Sequence, residues 1–293
     1  MELAIRARDA DLPATLTLPE GPILGGLVPL HGSNCGQRDF RLYRHLAETL
    51  PPQGIAVLRY DRRPNGGHDV PFHVQADDAR EAASLLRRHI GEAPIGSWGF
   101  SQGGGWVAPL AAATWPDEFA FVVNVSGSSV SPGEQMRYGL AEQLRKHGFG
   151  DRVGELAALQ DLFYGYLRGK ADLAALHARV DEVKDEPWWP LLGYPERVPA
   201  ALPGELWPDL DFDIAPAYER LAAPVLCFYG ETDEWTPIDD SVRVWAETRA
   251  RGGHEPATVV RLPGCDHEPW VGDGVHPEYE RVLGDWLAER VRG

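Results

Sequence analysis

Six short apolar runs recur along the chain and alternate with stretches of helical spacing. They read ILGGLVPL (23–30), GIAVLRYD (54–61), PIGSWGF (94–100), FAFVVNVSG (119–127), APVLCFYG (223–230) and ATVVRLPG (257–264). Helical spacing appears over 39–50, 74–90, 103–113, 239–250 and 277–291; in 74–90, Ala76, Ala79, Ala83, Leu86 and Ile90 line one side. An apolar run without polar alternation is a strand covered on both faces. Strands of that kind separated by helices pair in parallel, with helices above and below. The chain is therefore expected to be an α/β protein built on a mostly parallel sheet. Residues 3–8 and 14–18 add an opening hairpin.

The alternation lapses between about 130 and 222. Helical patches at 134–147, 151–168 and 171–183 are followed by EPWWPLLGYPERVPAALPGELWPDLDF, with no strand of comparable strength. The expected organisation is a core made of 1–129 and 223–293. A helical cap, 130–222, is inserted between its halves and folded over the carboxyl ends of the strands. The turn RRPNGGH (62–68) belongs to the loops at the same ends.

At 293 residues with a net charge of −16, the chain can bury a full core and repels anionic polymers, so neither nucleic acid nor an anionic membrane is expected as a partner. No apolar run approaches the roughly 20 residues of a membrane span. The opening MELAIRARDADLPATL has no apolar leader segment, so no secretory signal is expected. Three scattered cysteines, Cys35, Cys227 and Cys265, suit reduced thiols in a cytoplasm. No helical His-Glu-x-x-His and no Cys/His cluster is present, so no metal or other cofactor is expected. The expected partner is a small-molecule substrate, and association of like chains is compatible with the sequence.

The stretch IGSWGFSQGGGWVAPLAAA (95–113) passes from a strand through Gly-x-Ser-x-Gly into a helix. A serine at such a sharp turn holds its hydroxyl out towards a substrate, and glycines at 99 and 103 let strand and helix pass closely. Ser101 is the candidate nucleophile. A phosphate-cradling loop would need a lysine that is missing here. The nucleophile needs a base and the base an orienting acid. Of ten histidines, His267 follows the last strand and precedes the last helix, on the same loops; His276 is its nearest rival. Asp233 stands just past the strand APVLCFYG, short enough to meet an imidazole, whereas Glu231 and Glu234 read as solvated charges. The expected oxyanion donors are the N–H of Gln102, which follows the serine, and the N–H of Ser33 in LHGSNCG, with Asn34 as the alternative. His31 and Cys35 in that loop read as bracing and packing residues.

LVPLHGSN, GIAVLRYDRR, GFSQGG, YGETDEWTP and GCDH together resemble the α/β-hydrolase superfamily. Within it they are similar to bacterial serine esterases and acyl-peptidase-like hydrolases with an inserted helical cap. The resemblance covers about 20–127 and 223–291. It implies an eight-stranded sheet and a Ser-Asp-His triad at Ser101, Asp233 and His267. Where relatives continue Asp-Arg-Arg as Gly-x-Gly-x-Ser, this chain has Pro64-Asn65-Gly66-Gly67-His68. The expected activity is cleavage of an ester or lactone of medium size and little charge. An aminopeptidase or amidase on the same triad, and a non-hydrolytic cyclase or acyltransferase, remain alternatives. Trp235 and Trp270, beside the acid and base loops, and Trp188 and Trp189 in the cap are the expected substrate contacts.

Overall fold

The computed structural model describes residues 1–63 and 70–292. Eight strands form one sheet: β1 (Glu2–Arg6), β2 (Asp11–Thr17), β3 (Gly25–Leu30), β4 (Ile55–Tyr60), β5 (Ile95–Phe100), β6 (Phe121–Val125), β7 (Val225–Gly230) and β8 (Thr258–Leu262). Their order is β1-β2-β4-β3-β5-β6-β7-β8. β2 runs antiparallel to both β1 and β4, and every other pair is parallel. The sheet is thus eight-stranded and mostly parallel, as the sequence led one to expect. Most of the turn at 62–68 lies outside the described residues.

Side chains alternate along each central strand between two cores. From β7, Val225, Cys227 and Tyr229 enter one, while Leu226 and Phe228 enter the other. The first core is closed by α2 (Phe72–Ile90), α3 (Ala108–Thr114), α7 (Ala215–Arg220) and α8 (Ile238–Arg251). The second is closed by α1 (Arg41–Thr49) and α9 (Pro277–Val291). Helix α2 lies close to the sheet because Ala76, Ala79, Ala82 and Ala83 present only methyl groups to it. The period of two in the strands, together with helices on both faces, is what makes the runs read as continuously apolar.

The insertion holds α4 (Pro132–Lys146), α5 (Val153–Leu167) and α6 (Leu173–Val183), which share a core of their own. α4 begins with a capping box: Glu134 N–H donates to Ser131 Oγ, and Glu134 Oε2 accepts from Ser131 N–H, with Pro132 in the first turn. Two features were not anticipated. The last part of the stretch assigned to the cap packs on the sheet: Ile214, Ala217, Tyr218 and Leu221 belong to the first core, and Tyr218 stacks on Trp245 of α8. A small hairpin of β9 (Trp270–Val271) and β10 (Gly274–Val275) follows the base loop. Among the described residues no helix is long and apolar enough to cross a membrane.

Candidate active site

Ser101 follows β5, Asp233 follows β7 and His267 follows β8, so the three come from the carboxyl ends of parallel strands. They meet in one line of hydrogen bonds. His267 Nδ1 is 3.0 Å from both carboxylate oxygens of Asp233, and His267 Nε2 is 2.9 Å from Ser101 Oγ. A carboxylate only accepts, so the proton of the neutral imidazole sits on Nδ1 and Nε2 is left to accept from the serine hydroxyl. The Asp233 side chain is 0% exposed and that of His267 21%. The carboxylate is sealed in and the imidazole reaches solvent.

The serine backbone has φ +52°, in the left-handed region that side chains rarely adopt. The strain is held from both sides. Ser101 N–H donates to Val125 O at 2.8 Å, and its carbonyl accepts from Gly104 and Gly105 N–H at 3.0 and 2.9 Å. The turn also needs bare backbone on either side. A Cβ on Gly99 would lie 2.3 Å from the Gly103 backbone, and one on Gly103 2.5 Å from the Leu30 carbonyl oxygen. Beyond it, Gly103–Val107 adopt π-helical geometry before α3 begins, where a plain helix was expected. Three successive glycines make that wider turn accessible, and such turns concentrate at functional sites.

The acid loop is fixed by its own backbone and by its neighbours. Asp233 Oδ1 accepts from the N–H groups of Trp235 (2.8 Å) and Thr236 (3.1 Å). Thr232 donates to the Cys265 carbonyl through N–H (3.0 Å) and through its hydroxyl (2.8 Å). That stitches the acid loop to the base loop. The base loop is gripped from α1: Arg41 Nε donates to Glu268 at 2.7 Å, and the same guanidinium lies 4.4 Å over the Trp270 ring.

Gln102 N–H and Ser33 N–H have no acceptor among the described residues. The Gln102 side chain is anchored to α2, donating to Gln75 Oε1 at 3.1 Å. His31 braces the loop after β3: its Nε2–H donates to the Tyr60 carbonyl at 2.7 Å, and burial pushes its pKa down to about 3. The Cys35 thiol is pushed up by burial, against the pull of the Tyr43 hydroxyl at 3.3 Å, and stays protonated. His276 caps α9, its Nδ1 accepting from Glu278 N–H at 3.2 Å, and is occupied there.

The tryptophans divide. Trp188 is 0% and Trp189 6% exposed, both packed in the core shared by α4, α5 and α6 among leucines and valines. Neither ring face is exposed there. Trp235 is half-buried against α4, where Gly139 leaves room for its ring. Trp270 lines a cleft of about 480 Å³ between the end of α4 and the acid and base loops, with Glu142, Arg145, Lys146, Glu234 and Asp266. The polar contacts that brace the acid (Thr236), the loop after β3 (Arg62) and Gln102 (Gln75) were not singled out from sequence. They join residues far apart in the chain and leave no local signature.

The chain matches the model of the Alpha/beta hydrolase family over residues 27–279. No curated protein sequence matches it. Among solved structures, Est1E from Butyrivibrio proteoclasticus is similar at 18% identity and TM-score 0.65, covering 100% of this chain and 99% of that one. A highly thermostable carboxyl esterase from Bacillus coagulans is similar at 16% identity and TM-score 0.64, with 99% and 98% covered. So is a proline iminopeptidase from Mycobacterium smegmatis, at 16% identity and TM-score 0.61, with 100% and 99% covered. Identities this low speak for the shared fold alone. With the family model spanning most of its length, the chain belongs to the alpha/beta hydrolase family.

Proposed function

We infer that the protein is a serine hydrolase that cleaves a carboxylic ester or lactone through an acyl-enzyme. The observation that carries this reading is the unbroken line from Ser101 Oγ through His267 to the buried Asp233 carboxylate, on a serine of positive φ. Ser101 Oγ attacks the acyl carbonyl as its proton passes to His267 Nε2. Asp233 holds the imidazole with Nδ1–H inward and stabilises the cation that forms. The N–H groups of Gln102 and Ser33 receive the oxyanion. The imidazolium then gives its proton to the departing alkoxide, and a water molecule, deprotonated by the same base, releases the acid.

A medium-sized, largely uncharged substrate is favoured. Trp235 and Trp270 are the aromatic surfaces proposed to meet it, and two nearby acids have cationic partners. Glu234 accepts from Lys146 at 2.7 Å, and Glu142 pairs with Arg145. The buried, reduced thiols of Cys35, Cys227 and Cys265 support a cytoplasmic setting.

The test is labelling by a fluorophosphonate with and without Ser101→Ala. The native protein should take up one label and hydrolyse short p-nitrophenyl esters faster than aminoacyl anilides. The variant should do neither, and label persisting on it would refute the assignment. Product lacking the mass of an added water would instead favour a cyclase or acyltransferase.

A further inference from the structure

The loop after β3 is wrapped around a residue from the neighbouring strand end. Arg62, just past β4, donates from its backbone N–H to the Gly36 carbonyl at 2.8 Å. Its guanidinium donates to the Gly32 carbonyl at 3.2 Å and to the Ser33 carbonyl at 2.6 Å. From the buried side, the Tyr43 hydroxyl accepts from Gly32 N–H at 3.3 Å and donates to the Cys35 carbonyl at 3.2 Å. The loop lies against the serine turn. Leu30 pairs with Gly99, and a Cβ on Gly32 would come within 3.0 Å of the Phe100 ring.

A peptide unit is planar and trans, so its carbonyl and the following N–H point in opposite directions. The Gly32 carbonyl shares its plane with Ser33 N–H, and the Ser33 carbonyl shares its plane with Asn34 N–H. One guanidinium therefore fixes the orientation of both peptide units from which the second oxyanion donor can come.

We propose that Arg62 is a positioning residue for oxyanion stabilisation, acting by holding the Gly32 and Ser33 carbonyls so that the N–H groups behind them face the acyl oxygen. This rests on the reading of the loop as the second half of the oxyanion hole. Without the fork the two peptide units can rotate and present a carbonyl oxygen where the oxyanion must form. The cation also polarises the peptides it grips, which strengthens their N–H groups as donors.

Arg62→Met and Arg62→Lys test the proposal; the ammonium of the latter keeps the charge but not the planar fork. Three quantities are compared with the native protein: the fluorophosphonate labelling rate, kcat and KM on a p-nitrophenyl ester, and the affinity for an aryl trifluoromethyl ketone, whose hemiketal carries an oxyanion. Arg62→Met should lose roughly 10- to 100-fold in labelling rate, in kcat and in ketone affinity, less than deleting a donor outright, with KM within about threefold. Arg62→Lys, the variant safer to fold, should fall between. Native ketone affinity in Arg62→Lys, or a loss confined to KM or to melting temperature, overturns the proposal. Labelling that survives Ser101→Ala, or a native protein that takes no label, overturns instead the reading of the site on which it rests.

Discussion

Thr236 is bonded at once to the acid and to a strained residue on the next strand. Its N–H donates to Asp233 Oδ1 at 3.1 Å, and its hydroxyl donates to the Ser126 carbonyl at 2.9 Å. Ser126, at the end of β6, has φ +53° and with Ser101 makes up the non-glycine residues of positive φ among those described. Thr236→Val keeps the volume and the backbone donor but strands the buried Ser126 carbonyl. It should cost about 1–3 kcal/mol in urea unfolding. It should also lower kcat/KM as the acid loop loosens, while Thr236→Ser stays close to native in both. Equal stability of the Val and Ser variants would remove the hydroxyl from the account.

Gly103 is the point where the helix after Ser101 passes the end of β3. A methyl group there must displace backbone, because the Leu30 carbonyl carbon and oxygen lie 2.6 and 2.5 Å from the built Cβ. Gly103→Ala should destabilise the protein by about 3 kcal/mol, the upper end of ordinary overpacking, and slow labelling of Ser101. Thermal melting and labelling kinetics on the same sample check both effects.

His31 should make stability depend on pH. The unfolded chain protonates this imidazole near the usual 6.5, whereas the folded chain resists until about 3 because the ring is buried. Between those values the unfolded state holds more protons, so stability falls as pH falls, by up to about 1.4 kcal/mol per pH unit for one group. His31→Gln cannot take up that proton. Denaturant unfolding of the two proteins from pH 7 to pH 4 should show the native one losing stability faster, by about that slope below pH 6. Parallel curves would exclude the contribution.

The two classes of tryptophan should separate in the laboratory. Trp188→Ala removes a fully buried ring from the core shared by α4, α5 and α6 and should cost about 3–5 kcal/mol. Trp270→Ala removes a half-exposed ring and its contact with Arg41, worth about 1 kcal/mol. It should raise KM for apolar esters several-fold with little change in kcat. Melting curves and Michaelis parameters measured for both variants give the comparison.

The pattern of success between sequence and structure follows from range. β3 to β8 could be read because each is a contiguous apolar run, and Ser101, Asp233 and His267 stood out as candidates because each sits just beyond one. α7 escaped because six residues, Ala215–Arg220, are too few to display a periodic stripe. The Trp270–Val275 hairpin escaped because each of its strands is two residues long. For Trp188 and Trp189 the sequence could not separate a ring that lines a pocket from one that fills a core, because the two look alike in composition. The bond from Thr236 to Ser126 crosses 110 positions, and no local pattern encodes it.

The helical insertion enters after β6 and returns before β7, and α4, α5 and α6 enclose an oily interior separate from the two that flank the sheet. Ser101, Asp233, His267, Gln102, Ser33 and Arg62 all lie outside it. The insertion nonetheless touches the sheet domain at two places: Ile214, Ala217, Tyr218 and Leu221 pack in the first core, and Trp235 packs against the α4–α6 interior. On the function proposed above, a graft that exchanges α4–α6 should alter which esters are accepted while Ser101, Asp233 and His267 stay in register, provided the spans around Trp235 and 214–221 are kept.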